Sequence, residues 1–507
     1  MSPNAPAVDI GAAPSLDTPE GDTKQPAEDH VEKDSNLVDW DGPDDPEHPQ
    51  NLTRLRKWGI TFSLASMTMW ITFSSSVLSV ATHPISEEYN VSTKVMPLAT
   101  TLVIFGFALG PLCWAPLSEL YGRRLPTFLG YGVFAIFQVP VAVAPNLQTI
   151  MVCRFFVGVF GSSALSVGPG VMADIWDPVD RGIATPFFFA ANLLGPILGP
   201  IIGGFITESQ LGWRWTAWLT LITSIFFGVL ALLIVPETYS PVLLQQRASR
   251  LRRATQNQSL YSFLDQHRPT LAEFGYKYLA RPFMMFLLEP ILICFTVYLS
   301  LIYGILYLFL EAYPVAFAEE RHWTNKGIAG LPFLGILVGM VLGIGIIIYN
   351  TRTRFARHLA EQGQVAPEER LVEMMLTSIT MPIGLFWFGW AAHTHWMVQT
   401  IAGVPLGIGL FVLFMQGMNY LIDVYLTLSN SAIAANTLAR SFLGGSFPLF
   451  ATAMYHNLGV DWASTILGFI SVAMVPIPFA FYIFGARIRA MSRYTVKAGN
   501  GIGPPIP

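Results

Sequence analysis

Residues 374–422 contain no Asp, Glu, Lys or Arg, and neither do 58–86, 95–118, 125–153, 182–207, 215–236, 327–351 and 462–486. A helix that crosses the hydrocarbon of a bilayer needs about 20 mostly apolar residues. Runs of this length leave the chain little choice but to place helices in lipid, where each helix satisfies its own backbone hydrogen bonds. Charged residues make up 12% of the chain and the mean hydropathy is +0.49. Soluble proteins carry about 25% charged residues. A soluble enzyme, a nucleic-acid binder and a disordered protein are therefore excluded as readings.

Charge-free gaps, divided at turn signals, predict twelve spans. The first four are 58–86, 95–118, a third starting at 125, and a fourth running through Arg154 to about Ala173. Spans five and six are 182–207 and 215–236. Span seven is 283–313, interrupted only by Glu289 and Glu311, and span eight is 327–351. Residues 374–422 hold spans nine and ten, divided at Ala391-Ala392-His393-Thr394-His395. Span eleven runs from about Tyr425 to Tyr455 through Arg440, and span twelve is 462–486.

Basic residues fix the orientation, because cytoplasmic loops carry the excess of Lys and Arg. With the N-terminus inside, 23 basic residues fall on the cytoplasmic side and four (Lys94, Arg214, Arg321, Lys326) outside. Both termini are then cytoplasmic. The expected organisation is a disordered acidic tail (1–56), a six-helix bundle (57–236), a cytoplasmic linker with amphipathic helices (237–282), a second six-helix bundle (283–486) and a cytoplasmic tail (487–507). In the linker, Arg247, Arg250, Arg252 and Arg253 fit either a solvated helix or a basic face near the inner leaflet, and Leu271, Phe274 and Tyr278 fall at helical spacing.

Small residues at spacing four share one helix face and permit close backbone approach. Gly195, Gly199 and Gly203 form such a stripe in span five, and Gly335, Gly339 and Gly343 form one in span eight. Two uses are open: span five packing on span eight and span two on span eleven across the halves, or ordinary packing within one half.

Three segments resemble motifs of the major facilitator superfamily, in particular its fungal twelve-span drug:proton antiporter branch. Ala115-Pro-Leu-Ser-Glu-Leu-Tyr-Gly-Arg-Arg124 resembles the G-x-L-a-D/E-r-x-G-r-r/k loop after span two, with Ala115 and Leu120 as departures. Arg154-Phe-Phe-Val-Gly-Val-Phe-Gly161 resembles R-x-x-q-G-x-g-a, with Val157 in place of Gln. Gly195-Pro-Ile-Leu-Gly-Pro-Ile-Ile-Gly-Gly204 matches the antiporter signature g-x-x-x-G-P-x-x-G-G at every fixed position. The signature residues are Gly195, Pro196, Gly199, Pro200, Gly203 and Gly204. The segments Asp45 to Asn51, Tyr303 to Tyr307, Asn436 to Ser441 and Phe447 to Phe450 are also similar to that branch. The resemblance implies an all-α membrane protein, with twelve transmembrane helices in two pseudo-symmetric six-helix bundles.

It also implies roles. Arg154 is associated in the family with proton coupling, and its alternative is a cap on backbone carbonyls of neighbouring helices. Glu289 and Glu311 are the intramembrane acids that can carry the proton; Glu289 can equally be a packed structural acid, and Glu311 a group at the outer interface. Glu119, Gly122, Arg123, Arg124, Asp174 and Asp423 are expected at the cytoplasmic gate. Asp423 fits an N-cap of span eleven better than a gate pair. Substrate-cavity candidates are Trp70, Phe73, Phe187, Asn192, Tyr303, Tyr307, Gln416, Asn419, Tyr420 and Asn436, together with Arg440, a buried cation that can meet an anionic substrate or neutralise an acid. Asn90-Val-Ser92 is a glycosylation sequon on the outer side.

No phosphate-binding loop is present, and His and Cys show no zinc spacing, so no enzyme activity, cofactor or metal is expected. The expected function is plasma-membrane export of a toxin, pigment or drug in exchange for protons, by a monomer whose partners are substrate, protons and lipid, without nucleic acid. The alternative is a carrier of an organic acid or nutrient.

Overall fold

The computed structural model describes residues 36–266, 275–363, 365–425 and 428–492. Among them, eleven helices are long and apolar enough to cross a membrane. Ten are α1 (Arg54–Glu88), α2 (Thr93–Tyr121), α3 (Arg124–Ala142), α4 (Leu147–Ile175), α5 (Pro178–Glu208), α6 (Arg214–Ile234), α7 (Pro290–Glu319), α8 (Lys326–Glu361), α9 (Pro367–Trp390) and α10 (Trp396–Tyr425).

The eleventh, Ser429–Met491, has 63 residues. At 1.5 Å per residue it would measure about 95 Å, roughly three times the hydrocarbon thickness. It does not run straight. Gly459 has φ +75°, and across it Tyr455 and Ser464 bring their hydroxyls within 3.3 Å. Nine residues of straight helix would separate them by about 13 Å. The chain therefore reverses at Gly459, giving α11 (429–458) and α12 (460–491). Twelve spans result among the described residues.

Helix pairing is the same in both halves. α1 packs along α5, α2 along α4 and α3 along α6; α7 packs along α11, α8 along α10 and α9 along α12. This repetition is the pseudo-symmetry. Across the halves, α5 meets α8 and α2 meets α11.

The glycine stripes serve a different seam from those contacts. A Cβ on Gly195 would lie 2.1 Å from Thr72 Oγ1, and one on Gly199 1.9 Å from Ser76 Oγ, both on α1. Gly335 and Gly339 face backbone carbonyls of Thr400 and Val404 on α10. The stripes thus seat each half's own helices, while the halves meet at other glycines: Gly204 against Gly327, and Gly445 against Ile104.

Two expectations are corrected at the face that carries the chain's tail and the linker. Residues 36–52 of the acidic tail are ordered against the linker helix Ser240–Thr255: Val38 N–H donates to the Tyr261 carbonyl, Arg247 pairs with Asp41 and with Asp45, and Arg250 pairs with Glu47. Arg252 pairs with Asp265 in the same linker. Four acids cancelling three arginines leave little basic face for the leaflet. Leu271 and Phe274 lie outside the described residues. Span seven starts later than 283. Glu289 has extended backbone (φ −106°, ψ 102°), and Pro290 opens α7. Glu289 therefore stands at the mouth of the helix, not two turns inside it.

Candidate functional site

A cavity lies between the two halves, walled by α1, α2, α4 and α5 from one side and α7, α10 and α11 from the other. Its wall is apolar where Phe107, Phe189 and Phe414 face it, and polar at Asn192, Tyr303 and Arg440. At one end Asn430 Nδ2 donates to Glu119 across the halves. Toward the opposite end Thr101 Oγ1 donates to the Gly445 carbonyl at 2.9 Å, and Lys326 pairs with Glu208 at 3.7 Å. Both ends are bridged.

Of the residues expected at a gate, Gly122, Arg123, Arg124 and Asp174 lie together around an acid that sequence reasoning missed, while Glu119 bonds Asn430 and Asp423 lies in the other half. Arg123 Nε donates to Asp174 at 3.0 Å and its Nη1 to Ser118. The backbone N–H groups of Arg123 and Arg124 donate to Glu237 at 2.8 and 3.1 Å. Gly122 sits at φ +89°, where a Cβ would meet Glu237 Oε2 at 2.3 Å. Only glycine permits both that backbone and that approach. The signal was available as a lone acid directly after span six, in Pro236-Glu237-Thr238.

Asp423 is corrected. It lies in the last turn of α10 and pairs with Arg370 at 3.0 Å, while the start of α11 at Ser429 has no side-chain cap. The pair mirrors Arg123–Asp174 in the other half. Arg181 of α5 lies within electrostatic reach of Asp423, which links that pair to the opposite half.

Arg154 is 1% exposed. Its guanidinium donates to the carbonyls of Ala99 (3.0 Å), Ser75 (2.7 Å) and Ser74. The contacts are the carbonyl cap, and they tie α4 to α1 and α2. A buried cation without such partners would be costly. Ser75 continues the chain of contacts: its hydroxyl is 3.1 Å from Tyr307 OH, which is 3.5 Å from Tyr303 OH. Arg440 follows, with its Cζ 4.8 Å from the Tyr303 ring and 4.7 Å from that of Phe414.

Glu311 lies outside this cavity, in an outer vestibule between the halves, hydrogen-bonded to Thr452 at 3.3 Å. Glu289 is fully buried at the opposite end of α7, accepting from Tyr425 and from Ser492. It ties α7 to α10 and to the end of α12.

Of the cavity candidates, Asn192, Tyr303 and Arg440 line the space, and Tyr307 stands behind Tyr303. The others pack elsewhere. Phe187 packs on Trp58 and Phe62. Trp70 and Phe73 join a separate apolar cluster with Phe227. Gln416 donates to Glu373, and Asn419 donates to Gln416, in a network that also holds Asn350. Tyr420 stacks on Phe295 at 4.6 Å, and Asn436 donates to Thr296. Polarity alone had placed these amides in the cavity; their hydrogen-bond partners, Glu373 above all, are what keep them within the second half.

Residues 62–448 match the family profile described as Major Facilitator Superfamily. The chain belongs to this family. Among its relatives, a citrinin biosynthesis cluster MFS transporter of Monascus ruber is 57% identical, over 91% of this chain and 93% of that protein. An ascochitine biosynthesis cluster MFS transporter of Didymella fabae is 53% identical, over 92% and 90%. A cercosporin MFS transporter of Cercospora nicotianae is 44% identical, over 92% and 91%. The solved proton:xylose symporter XylE shares the fold at a TM-score of 0.60 and 17% identity, over 85% of this chain and 96% of that one. The facilitator chain described here is accordingly a multi-pass membrane transporter whose relatives include fungal secondary-metabolite cluster transporters.

Proposed function

We propose that this protein exports a secondary metabolite in exchange for protons, by alternating access of the central cavity to the two sides of the plasma membrane. Both termini face the cytoplasm, and one chain suffices. The relatives named for biosynthesis clusters support the cargo class. The span-five signature, Gly195 to Gly204, supports exchange over import.

One observation carries the coupling. Tyr303, Tyr307 and Glu311 recur at spacing four on α7 and so share one face of the helix. Tyr303 lines the cavity and Glu311 lines the outer vestibule. Tyr307 stands between them, hydrogen-bonded to Ser75, whose carbonyl caps Arg154. About 12 Å of helix separates the carboxylate from the cavity tyrosine. A proton taken from outside onto Glu311 removes a charge from this stripe. The α7 contacts to α1 then differ between the two protonation states, so the proton biases which gate opens. Glu119, Arg123, Arg124, Asp174 and Glu237 form the latch on the cytoplasmic side, with Arg370 and Asp423 as its counterpart. Asn90, exposed on the outer loop, is the glycan acceptor, which a glycosidase mobility shift tests.

The test is transport in proteoliposomes with an acidic lumen and a trapped pH dye. Addition of substrate should accelerate proton efflux in the native protein, and Glu311→Gln should still bind substrate but no longer couple. Substrate movement indifferent to the gradient would overturn exchange in favour of a facilitated carrier.

A further inference from the structure

Arg440 is 8% exposed, and its Nε and Nη1 find no hydrogen-bond acceptor among the described residues. The rings of Tyr303 and Phe414 lie 4.8 and 4.7 Å from its Cζ. They stabilise the charge through their faces but accept none of its in-plane N–H bonds. The second cation in the cavity wall, Arg123, is already engaged by Asp174 and Ser118. One unpaired positive charge therefore faces the space.

Two further orphaned polar atoms line the same cavity: the side-chain amide oxygen of Asn192, from the opposite half, and the hydroxyl of Ser441, next to Arg440. Buried polar atoms are nearly always hydrogen-bonded, and leaving them unpaired costs free energy. Phe107, Phe189 and Phe414 give the same wall an aromatic, apolar part.

We infer that the cargo site takes a planar aromatic monoanion, a hydroxylated aromatic acid, whose carboxylate is held by the Arg440 fork while its hydroxyl donates to Asn192. The inference rests on the central cavity being the transport site. A guanidinium binds a carboxylate through two parallel N–H bonds, which a neutral ester cannot reproduce with comparable strength. One charge matches one charge, which disfavours a dianionic phosphate. Because Arg440 and Asn192 belong to opposite halves, a bound acid spans the seam that alternating access must open and close.

Binding to the purified full-length protein, by isothermal titration calorimetry, tests this with 3-hydroxy-2-naphthoate and its methyl ester. The acid should bind at least tenfold more tightly than the ester. Arg440→Gln should bring the two to equality by weakening the acid, and Arg440→Lys, which keeps charge but loses the fork, should leave an intermediate preference. Thermal unfolding checks that each variant is folded. If Arg440→Gln does not fold, the native acid-to-ester ratio and the lysine variant decide. Equal binding of acid and ester to the native protein, no binding of the acid, or a preference that survives loss of Arg440 would overturn the inference. No proton gradient enters this measurement. Failure of coupling in proteoliposomes leaves it standing, and failure here leaves proton-coupled export of a neutral cargo standing.

Discussion

Each half of the transporter buries one arginine in its hydrocarbon-depth core, and the two are treated in opposite ways. Arg154, in the first half, is capped by three backbone carbonyls from two helices. Arg440, in the second, is held by two aromatic rings and has N–H groups to spare. Sequence position gives both the same description, a lone cation within a span. The difference teaches that one arginine cements a half, whereas the other keeps unpaired N–H groups at the cavity wall, where the proposed site uses them. Elsewhere the halves agree. On the outer side, Arg214 donates to the Ala142 and Ala144 carbonyls at the α3–α4 turn. Arg321 does the same for Ala391 and Ala392 at the equivalent α9–α10 turn.

The strongest way to break the contrast is to delete both cations in turn. Arg154→Ala strands three buried carbonyls, each worth about 1–3 kcal/mol, so a loss of about 3 kcal/mol or more and no measurable transport are expected. Arg440→Met removes an unsatisfied buried charge, and unfolding stability should stay within about 1 kcal/mol of native or rise. Thermal and denaturant unfolding in one detergent compares them; equal destabilisation would erase the distinction.

A second contrast sets the buried seams against lipid-facing positions. Gly195→Ala drives a Cβ to within 2.5 Å of the Phe73 backbone nitrogen, and about 1–3 kcal/mol of destabilisation follows. Gly345 has no heavy atom within 4 Å of such a Cβ. Gly345→Ala should be neutral or stabilise the helix by about 0.5–1 kcal/mol. The same unfolding assay reads both.

The inner loops of the two halves are locked with reversed polarity. Glu237, after α6, accepts loop N–H groups, whereas Arg489, near the end of α12, donates twice to Glu368 in the first turn of α9. Glu237→Gln weakens charge-assisted bonds by about 1–2 kcal/mol in total. Transport should fall several-fold, and a cysteine placed at Ser118 should react faster with a thiol reagent from the cytoplasmic side. An unchanged rate would show that the loop conformation survives without the carboxylate.

The smallest effect expected is at the strap. The Asp45 carboxyl is lowered from 3.8 to about 2 by the Asp41 backbone N–H first and by the Arg247 side chain next. A lowered folded-state value means that its contribution is complete above pH 3.8 and is lost as pH falls through about 2. Hydrogen-exchange protection factors in residues 36–52, corrected for the intrinsic pH dependence of amide exchange, should therefore be flat from neutral pH to about 4 and fall only below it, and Asp45→Asn should lower them at neutral pH.

The twelve spans, their orientation signal and the motif segments were legible because charge in a bilayer is costly enough to mark every boundary. Two boundaries resisted. Glu289 reads as an intramembrane acid until Pro290 is seen to open the helix behind it, and the strap 36–52 reads as a disordered tail until its acids are seen against Arg247 and Arg250. Sequence could also place Arg154 and Arg440 at depth, and it could set Gly195, Gly199 and Gly203 on one face. Which neighbour each of them meets depends on how the helix is rotated in the bundle. That rotation is set by side chains far along the chain, as when Glu373 draws Gln416 away from the cavity or α1, and not α8, takes the glycine face of α5. Hydrophobicity along a chain is a local property and fixes where the helices are; the pairing of buried polar groups is a property of the packed bundle, and it alone decided which arginine is mortar and which keeps unpaired N–H groups.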